Sequence, residues 1–357
     1  MALTYNDINA ITTQHIVPKT TDVIFKNDPL FVRLMSKNKI NFEGGLFIQR
    51  PIMFSELASG FFARGDQFDT GYRQTDTAFS VNMKFGYVNV TLLGTDDVLN
   101  RGPEAAFSVV ESKMANASLT MAKLLGQTIY QDGQGVLSGT KSLDGLLAWI
   151  DDGSTVTSGS GSVNYTTVTD VRRSFAAVGG ITRADIVAGP STGDATTYSQ
   201  VNGINAYTNR NLSTFTLDAI NKAYGFAWFG ADQPDLLVCT QGAYNKIWNT
   251  TVQNQRYMRA DSDLAKVGIQ SFQFNAADVT ISKYLNDVVG SSIGAILGLN
   301  TNYMELYVSA NKKFQFGFTG FKEAQNTIDV SGQFMFAGNL VVPSPRTSFK
   351  LVGTDLA

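Results

Sequence analysis

The sequence is short of the residues that build disulfides, zinc sites and most catalytic centres. Its 357 residues include one cysteine, Cys239, and one histidine, His15. One cysteine cannot close a disulfide within the chain, and a zinc site made of Cys and His ligands needs more of both. A Ser-His-Asp or Cys-His catalytic set would have to use His15, which lies in a polar stretch, so we interpret it as a surface residue. Cys239 lies in an apolar stretch and is interpreted as an inert core thiol.

Charged residues are scarce as well. They make up 16% of the chain, against about 25% in typical soluble domains, and 28 Lys and Arg against 30 Asp and Glu leave a net charge of −2. The sequence therefore has no positive field for nucleic acid or an anionic membrane, and a surface with few charges suits large protein contacts. No apolar run approaches the roughly 18 residues of a membrane span and no secretory signal is present, so we expect a soluble protein without a membrane partner.

Two strand candidates follow the turn at Gly44-Gly45. The first covers 46–54, where Pro51 favours an edge position. The second covers 77–93, in which apolar and polar residues alternate. The alternation shifts by one residue just after Gly86, which predicts a β-bulge or a change of the buried face at that glycine.

The segment between these strands, 55–76, predicts an exposed binding loop. It is longer than most connections in compact domains, and loops of this length are commonly either functional or disordered. Aromatic side chains beside alternating charges favour the binding interpretation. The candidate contact residues are Phe61, Phe62, Arg64, Asp66, Asp69 and Arg73.

A long amphipathic helix is predicted from Pro103 to about residue 131. Apolar residues recur at alternating spacings of three and four, and the helix would be roughly 40 Å long at 1.5 Å per residue. The predicted buried stripe consists of Phe107, Val110, Met114, Ala117, Met121, Leu124 and Thr128. A second helix is predicted over 168–178, and a short one begins at Pro29 with Asp28 as its N-cap.

The carboxyl-terminal half predicts an α/β unit followed by strands. A buried strand over 235–240 leads into a helix over 241–249. The acidic pairs Asp96-Asp97 and Asp151-Asp152 are interpreted as helix caps or solvated carboxylates. The glycine-serine tract 154–162 follows no strand, so it predicts a mobile loop and not a dinucleotide site. Later strands are predicted over 278–281, 294–299, 304–308, 314–318 and 328–342.

Several short motifs carry a resemblance to a known family. The passage from Asn27-Asp28-Pro29-Leu30 through Gly44-Gly45 to the Pro51-Ile52 strand resembles the arm-to-loop passage of the major capsid protein of tailed bacteriophages. Asp132-Gly133 followed by Gly145-Leu146 resembles the exit from that family's long helix. The segments 298–303 and 338–346 resemble its closing strands, so the resemblance covers essentially the whole chain.

The resemblance implies an α+β protein with the Hong Kong ninety-seven type capsid fold. That fold has an amino-terminal arm, an extended β-hairpin loop, a peripheral domain with a long spine helix, and an axial α/β domain that points at the centre of a ring of subunits. The expected divisions are 1–40 for the arm, 41–98 for the extended loop, 99–185 for the peripheral domain with the spine helix at about 103–131, 186–310 for the axial domain, and 311–357 for closing strands that return to the peripheral domain.

The function that the resemblance implies is assembly of a phage head. A major capsid protein forms hexamers and pentamers of itself, which build an icosahedral or prolate shell around the genome, without catalysis or a cofactor. The expected partners are other copies of the chain, a separate scaffolding protein, a portal and packaged DNA held non-specifically, with a decoration protein as a further candidate. The protein is expected to be made in the bacterial cytoplasm. Some relatives form a Lys–Asn crosslink; Lys84 lies on a loop strand, but no sequence context marks it or an Asn partner. The alternative hypothesis is a carboxylate-dependent hydrolase with a glycine-rich cleft.

Overall fold

The computed structural model describes most of the chain and leaves out several segments. Those left out are residues 1–27, 54–56, 73, 95–102, 135–138, 154–169, 174, 176, 184–204, 211, 252–271, 291, 324–328 and 357. Some features discussed above therefore lie outside the described residues: His15, Arg73, the Asp96-Asp97 pair and the glycine-serine tract 154–162. No described helix is both long enough and apolar enough to cross a membrane.

Six helices and sixteen strands are seen in the described residues. The helices are α1 Pro29–Lys37, α2 Pro103–Ile129, α3 Leu146–Trp149, α4 Leu217–Ala227, α5 Gln241–Thr251 and α6 Lys283–Val289. The strands are β1 Lys39–Phe42, β2 Phe47–Met53, β3 Asp76–Asn82, β4 Lys84–Leu92, β5 Ala177–Val178, β6 Ile181–Thr182, β7 Tyr207–Asn209, β8 Leu236–Cys239, β9 Phe272–Phe274, β10 Ala277–Ile281, β11 Gly294–Leu299, β12 Glu305–Ser309, β13 Gln315–Phe318, β14 Lys322–Glu323, β15 Val330–Val341 and β16 Phe349–Gly353. Short 3-10 turns occupy Thr301–Tyr303, Lys312–Phe314, Pro345–Thr347 and Thr354–Leu356.

The first six-stranded sheet is organised around the long strand β15. Its order is β1-β12-β15-β13, and β4 and β14 also pair with β15. Strand β4 runs antiparallel along β15 from Leu92↔Val330 to Lys84↔Gly338. The apolar residues of β15 and the buried face of α2 belong to one hydrophobic core. The long helix is therefore held against this sheet by burial of apolar surface.

The second six-stranded sheet has the order β7-β16-β11-β8-β10-β9. Strands β8 and β10 are parallel neighbours, and helix α5 follows β8 directly, as the buried strand-to-helix pattern predicted. Every residue of β8 is buried, including Cys239, and burial raises the pKa of its thiol well above the ordinary value. The interpretation of Cys239 as an inert core thiol agrees with this position.

The long helix α2 confirms the helix predicted from Pro103, with one correction to its buried stripe. Val110, Met114, Ala117 and Met121 are buried as predicted, but Leu124 is 39% exposed, and the buried positions at the end are Leu125 and Ile129. The predicted spacing repeats every 3.5 residues, whereas a straight helix has 3.6 residues per turn, so a strict seven-residue pattern drifts by about 20° per repeat. Over four turns that drift amounts to about 40°, which turns Leu124 toward the edge of the buried face and brings Leu125 closer to its centre.

The shifted stripe predicts that two adjacent leucines of helix α2 contribute differently to stability. We expect Leu125→Ala to lower the free energy of unfolding by at least about 2 kcal/mol, because it removes a fully packed side chain and leaves a cavity. Leu124→Ala is the matched control and should cost well under that amount. Urea unfolding followed by circular dichroism measures both. Equal losses for the two variants would show that the stripe is placed wrongly.

The alternating segment 77–93 is two strands instead of one. The break lies at Met83, not at Gly86, because β3 pairs with β2 whereas β4 pairs with β15. In β3 the odd-numbered Phe79 and Val81 are buried, but in β4 the even-numbered positions face inward. Phe85 and Tyr87, predicted to continue the buried face, are 68% and 70% exposed. The buried face therefore changes within 77–93 as predicted, but it changes at Met83 and not at Gly86.

The helix predicted over 168–178 is wrong for the described part of that segment. Residues 170–173 form a turn, and Ala177–Val178 is strand β5, which pairs with β6 in a tight hairpin. The two residues between these strands, Gly179 and Gly180, both have positive φ angles of 57° and 78°. A two-residue hairpin turn needs positive φ at both positions, which glycine adopts without strain. The glycine pair therefore selects a hairpin and not the end of a helix.

Candidate assembly surfaces

The strands on either side of the predicted binding loop form a two-stranded sheet. Strands β2 and β3 pair antiparallel from Phe47↔Asn82 to Met53↔Asp76, and Pro51 lies in β2, which pairs only with β3 among the described residues. One face of this sheet contributes Ile48 and Phe79 to the core. Burial on one face only is the pattern that the period-two alternation predicts. The loop connects the two strands of this sheet.

Residues 57–72 form an exposed, irregular loop rich in aromatic side chains. The side chains of Phe61 and Tyr72 are almost fully exposed, at 110% and 95% relative to a reference chain. Leu57, Phe62 and Phe68 are each about two-thirds exposed or more. Exposed apolar patches are typical of interaction surfaces, so the loop stays a candidate contact surface.

Local contacts order the tip of this loop, which we define as residues 61–71. The rings of Phe62 and Phe68 meet edge to face with centroids 4.9 Å apart. The backbone amide of Ala63 donates to Asp66 Oδ2 at 2.6 Å, and the amide of Gly71 donates to Asp69 Oδ1 at 3.0 Å. These contacts preorganise the tip, which lowers the entropy cost of docking it.

The structure brings five of the six predicted contact residues together on the loop tip. Phe61, Phe62, Arg64, Asp66 and Asp69 all lie there and are exposed, whereas Arg73 lies outside the described residues. Two of these five carry negative charge and one carries positive charge, so the described tip has a formal charge of −1.

A groove that the sequence did not reveal lies between β4 and the spine helix α2. It has a volume of about 390 Å³. Its lining residues are Lys84, Phe85, Gly86, Tyr87, Leu124, Leu125, Thr128, Lys141, Ser142, Leu143 and Phe336. The groove is mainly apolar and its only charged residues are the two lysines. Sequence reasoning missed it because Leu124 and the aromatic residues of β4 were assigned to the core.

Lys84 is held in place within this groove. Its Nζ donates to the backbone oxygen of Thr140 at 2.5 Å and lies 3.8 Å from Asp144 Oδ1. The neighbouring Lys141 is exposed.

A buried cluster of charges around Asp151 contradicts the interpretation of that residue as a cap or a solvated carboxylate. Asp151 is fully buried, with Lys350 Nζ 3.2 Å from its Oδ1 and Arg210 in direct contact. Arg183 donates to the backbone oxygen of Asp151 at 2.9 Å. Burial opposes the charge, but Lys350, Arg210 and Arg183 together hold the pKa of Asp151 well below its usual range. The cluster ties the segment after α3 to β16 and to the end of β7, so its role is structural.

The alternative of a carboxylate-dependent hydrolase finds no support in the described residues. One glycine-lined cleft, of about 440 Å³, lies beside the amino end of α5, and Asp287 is the only acidic residue of its lining. Hydrolysis by paired carboxylates needs a second acid beside the first. Within the described part of the chain, no three His, Cys, Asp or Glu side chains lie close enough together to hold a metal ion.

Comparison with solved structures gives the identity of the fold. The capsid asymmetric unit of cyanophage A-1(L) superposes with a TM-score of 0.60 and 14% sequence identity, over 93% of each chain. The chain has the capsid fold. The holo-SrpI encapsulin complex of Synechococcus elongatus gives 0.52 at 10% identity, over 93% of this chain and 89% of that one. The capsid of the native GTA particle gives 0.53 at 9% identity, over 90% of each chain.

The capsid fold is therefore shared with a cyanophage capsid, a GTA particle capsid and an encapsulin. No family model matches the sequence, and no curated protein is similar to it. Identities of 9–14% show the fold alone. The mixed helix and sheet architecture that the resemblance implied is confirmed.

Proposed function

We propose that this protein is the major capsid protein of a tailed phage, a subunit that assembles with copies of itself into a closed shell around the genome. The observation that carries the proposal is the capsid fold, which extends over 93% of the chain. The exposed aromatic loop tip adds support, because an isolated soluble protein seldom leaves such a surface uncovered. The shell is the virion capsid, and the role is structural, without a cofactor.

The mechanism we propose is docking of the loop tip of one copy onto its neighbour. The tip is convex and aromatic with a charge of −1, whereas the groove beside α2 is concave and apolar with two lysines. Because these are unlike surfaces of one chain, their contact is heterologous, and heterologous contacts form rings when the rotation between neighbours closes. Hexamers and pentamers are such rings. The low content of charged residues means that few ions lose their hydration when these surfaces meet.

The finer divisions of the chain are part of this proposal. The hairpin of β2 and β3 with its loop corresponds to the extended loop, and α2 corresponds to the spine helix of the peripheral domain. The second sheet with α4 and α5 corresponds to the axial domain. A separate scaffolding protein, a portal and packaged DNA are the partners that such a shell would need.

The groove lysine Lys141 provides a test of the docking mechanism. We expect Lys141→Glu to slow assembly or to misdirect it, because it places a negative charge opposite the acidic tip, and such contacts set register more than they add affinity. The melting temperature of the unassembled subunit should stay the same, since Lys141 is exposed. The matched control is Lys222→Glu, an exposed lysine of α4. Light scattering at low and moderate salt measures assembly, and equal rates for the two variants would count against docking in this groove.

The proposed function itself is tested by sedimentation of the purified protein. A shell-forming subunit gives a fast-sedimenting species of defined mass, alone or when its scaffolding partner is co-expressed. A protein that remains a monomer under both conditions would contradict the proposal. Hydrolysis of a substrate by such a monomer would favour the alternative.

A further inference from the structure

Three separate elements meet at one buried carboxylate, that of Asp28. This residue precedes α1 and is 1% exposed. The hydroxyl of Tyr130, the residue just after the spine helix α2, donates to Asp28 Oδ2 at 2.9 Å. The hydroxyl of Ser282, the residue just before α6, donates to Asp28 Oδ1 at 2.6 Å. Asp28 therefore connects the first helix to both the spine and the second sheet.

No described cation contributes to the environment of this carboxylate. Arg33, one turn along α1, donates to Asp235 and Asp278. Of the charged residues of α6, Lys283 and Asp287 are exposed to solvent. Burial raises the pKa of Asp28 to about 6. The hydrogen bonds from Ser282 and Tyr130 lower this pKa, but by less than burial raises it. Tyr130 is the titratable side chain in direct contact, and burial together with the charge of Asp28 raises its own pKa.

We infer that Asp28 is a proton-dependent clasp, which holds α1 to the spine helix and the second sheet more firmly when its carboxyl group is protonated than when it is ionised. Both hydroxyl partners can accept as well as donate, so a protonated Asp28 can donate to one of them and keep the connection. The ionised form keeps its hydrogen bonds but places an unpaired charge in the core, which is costly.

The direction of the pH dependence follows from the two states of the clasp. When α1 detaches, Asp28 enters water and its pKa returns toward the ordinary value of 3.8. The attached state binds the proton more tightly, so detachment is hardest below about pH 3.8. It becomes easier as pH rises from there to about 6, and it changes little at higher pH because neither state then holds the proton. A shift from 3.8 to about 6 corresponds to a change on the order of a hundredfold in the detachment equilibrium.

The consequence reaches the residues that α1 buries. Leu30, Phe31 and Leu34 are buried in the core beneath the clasp, and they leave it if α1 detaches. The clasp therefore links pH to the attachment of helix α1. This inference concerns the subunit itself and does not depend on the proposed shell.

Hydrogen exchange of the full-length protein tests the clasp. Exchange of peptides from 29–37 is measured by mass spectrometry between about pH 5 and pH 8 and corrected for the intrinsic exchange rate. We expect protection of the wild type to fall about tenfold over this range, because only the upper part of the interval between 3.8 and about 6 lies within it. Protection of Asp28→Asn should be independent of pH. The control Asp218→Asn, at an exposed position of α4, should behave as the wild type.

A second variant separates a titrating clasp from a merely structural residue. Ser282→Ala removes a donor that favours the ionised form, so the midpoint of the transition should move to higher pH. A structural role alone would lower protection at every pH without moving a midpoint. Wild-type protection that is flat across the range would overturn the inference, as would a transition that persists in Asp28→Asn.

Discussion

Asp151→Asn should lower the free energy of unfolding by about 3–5 kcal/mol, the largest loss of stability we expect from a single change in this chain. The variant leaves Lys350, Arg210 and Arg183 buried around a neutral amide, with Asp152 beside Arg210 as the carboxylate that remains. Three buried cations without their central anion are much less stable than the same cations in water, because the low-dielectric interior does not solvate them. Denaturant unfolding of the unassembled subunit measures the loss.

The matched control for this prediction is Asp170→Asn. Asp170 also pairs with an arginine, Arg172, at 2.6 Å, but both side chains are partly exposed to solvent. Surface pairs contribute about 0–1 kcal/mol, so this variant should hardly differ from the wild type. Equal losses for the two variants would show that the charges around Asp151 are solvated and that the cluster does not hold the fold together.

The pH dependence of the Asp151 cluster has a definite sign. Its pKa is lowered in the folded chain, so its contribution to stability is fully present above the ordinary value of 3.8. The contribution is lost only as pH falls through the lowered folded pKa. The difference in stability between the wild type and Asp151→Asn should therefore be constant around neutral pH and shrink only in strong acid.

Replacing the three phenylalanines of the loop tip should stop assembly and leave the subunit folded. Phe61, Phe62 and Phe68 are exposed in the single chain, so changing all three to serine removes no core packing. In the proposed shell the same side chains are anchors buried against a neighbour, and such aromatic anchors account for much of the binding energy of an interface. We expect shells to be absent and the melting temperature of the subunit to stay within a few degrees of the wild type.

Polar residues of the same loop provide the control for this triple variant. Gln67→Ser and Thr70→Ser change exposed side chains of the tip without removing an aromatic ring. We expect this pair of changes to leave shell formation nearly unchanged. Electron microscopy of negatively stained particles, together with thermal melting of the subunits, measures both properties. Shells formed at wild-type yield by the triple variant would exclude the tip as an anchor.

The long helix and the two strands beside the loop could be predicted from the sequence because their signals are local. Residues of α2 that are three and four apart share one face, and those of β2 and β3 alternate, so each pattern can be recognised without knowing the partner element. The exact phase was harder to predict. Leu125 is buried in place of Leu124 because the position of the sheet packed against α2 decides which residues of the helix are covered. That position cannot be predicted from the spacing of apolar residues along the helix.

The features that could not be predicted depend on residues far apart in the chain. The charges around Asp151 come from Arg183, Arg210 and Lys350, which only the folded chain brings together. The break at Met83 arises because β3 and β4 pair with different strands. The groove beside α2 could not be predicted for the same reason. Gly86 and Leu124 line it only because the break at Met83 sets which face of β4 is buried and because α2 leaves Leu124 partly exposed.

The most direct test of the account is a reconstruction, by electron cryomicroscopy, of the particle that this protein forms. The account predicts closed shells built of six- and five-membered rings, in which residues 57–72 of each copy lie on a neighbouring copy beside its spine helix. The aromatic side chains of the tip should be covered there, within reach of Leu124 and Lys141 of that neighbour. Absence of closed shells, or shells in which the loop projects into solvent without touching a second copy, would contradict the account.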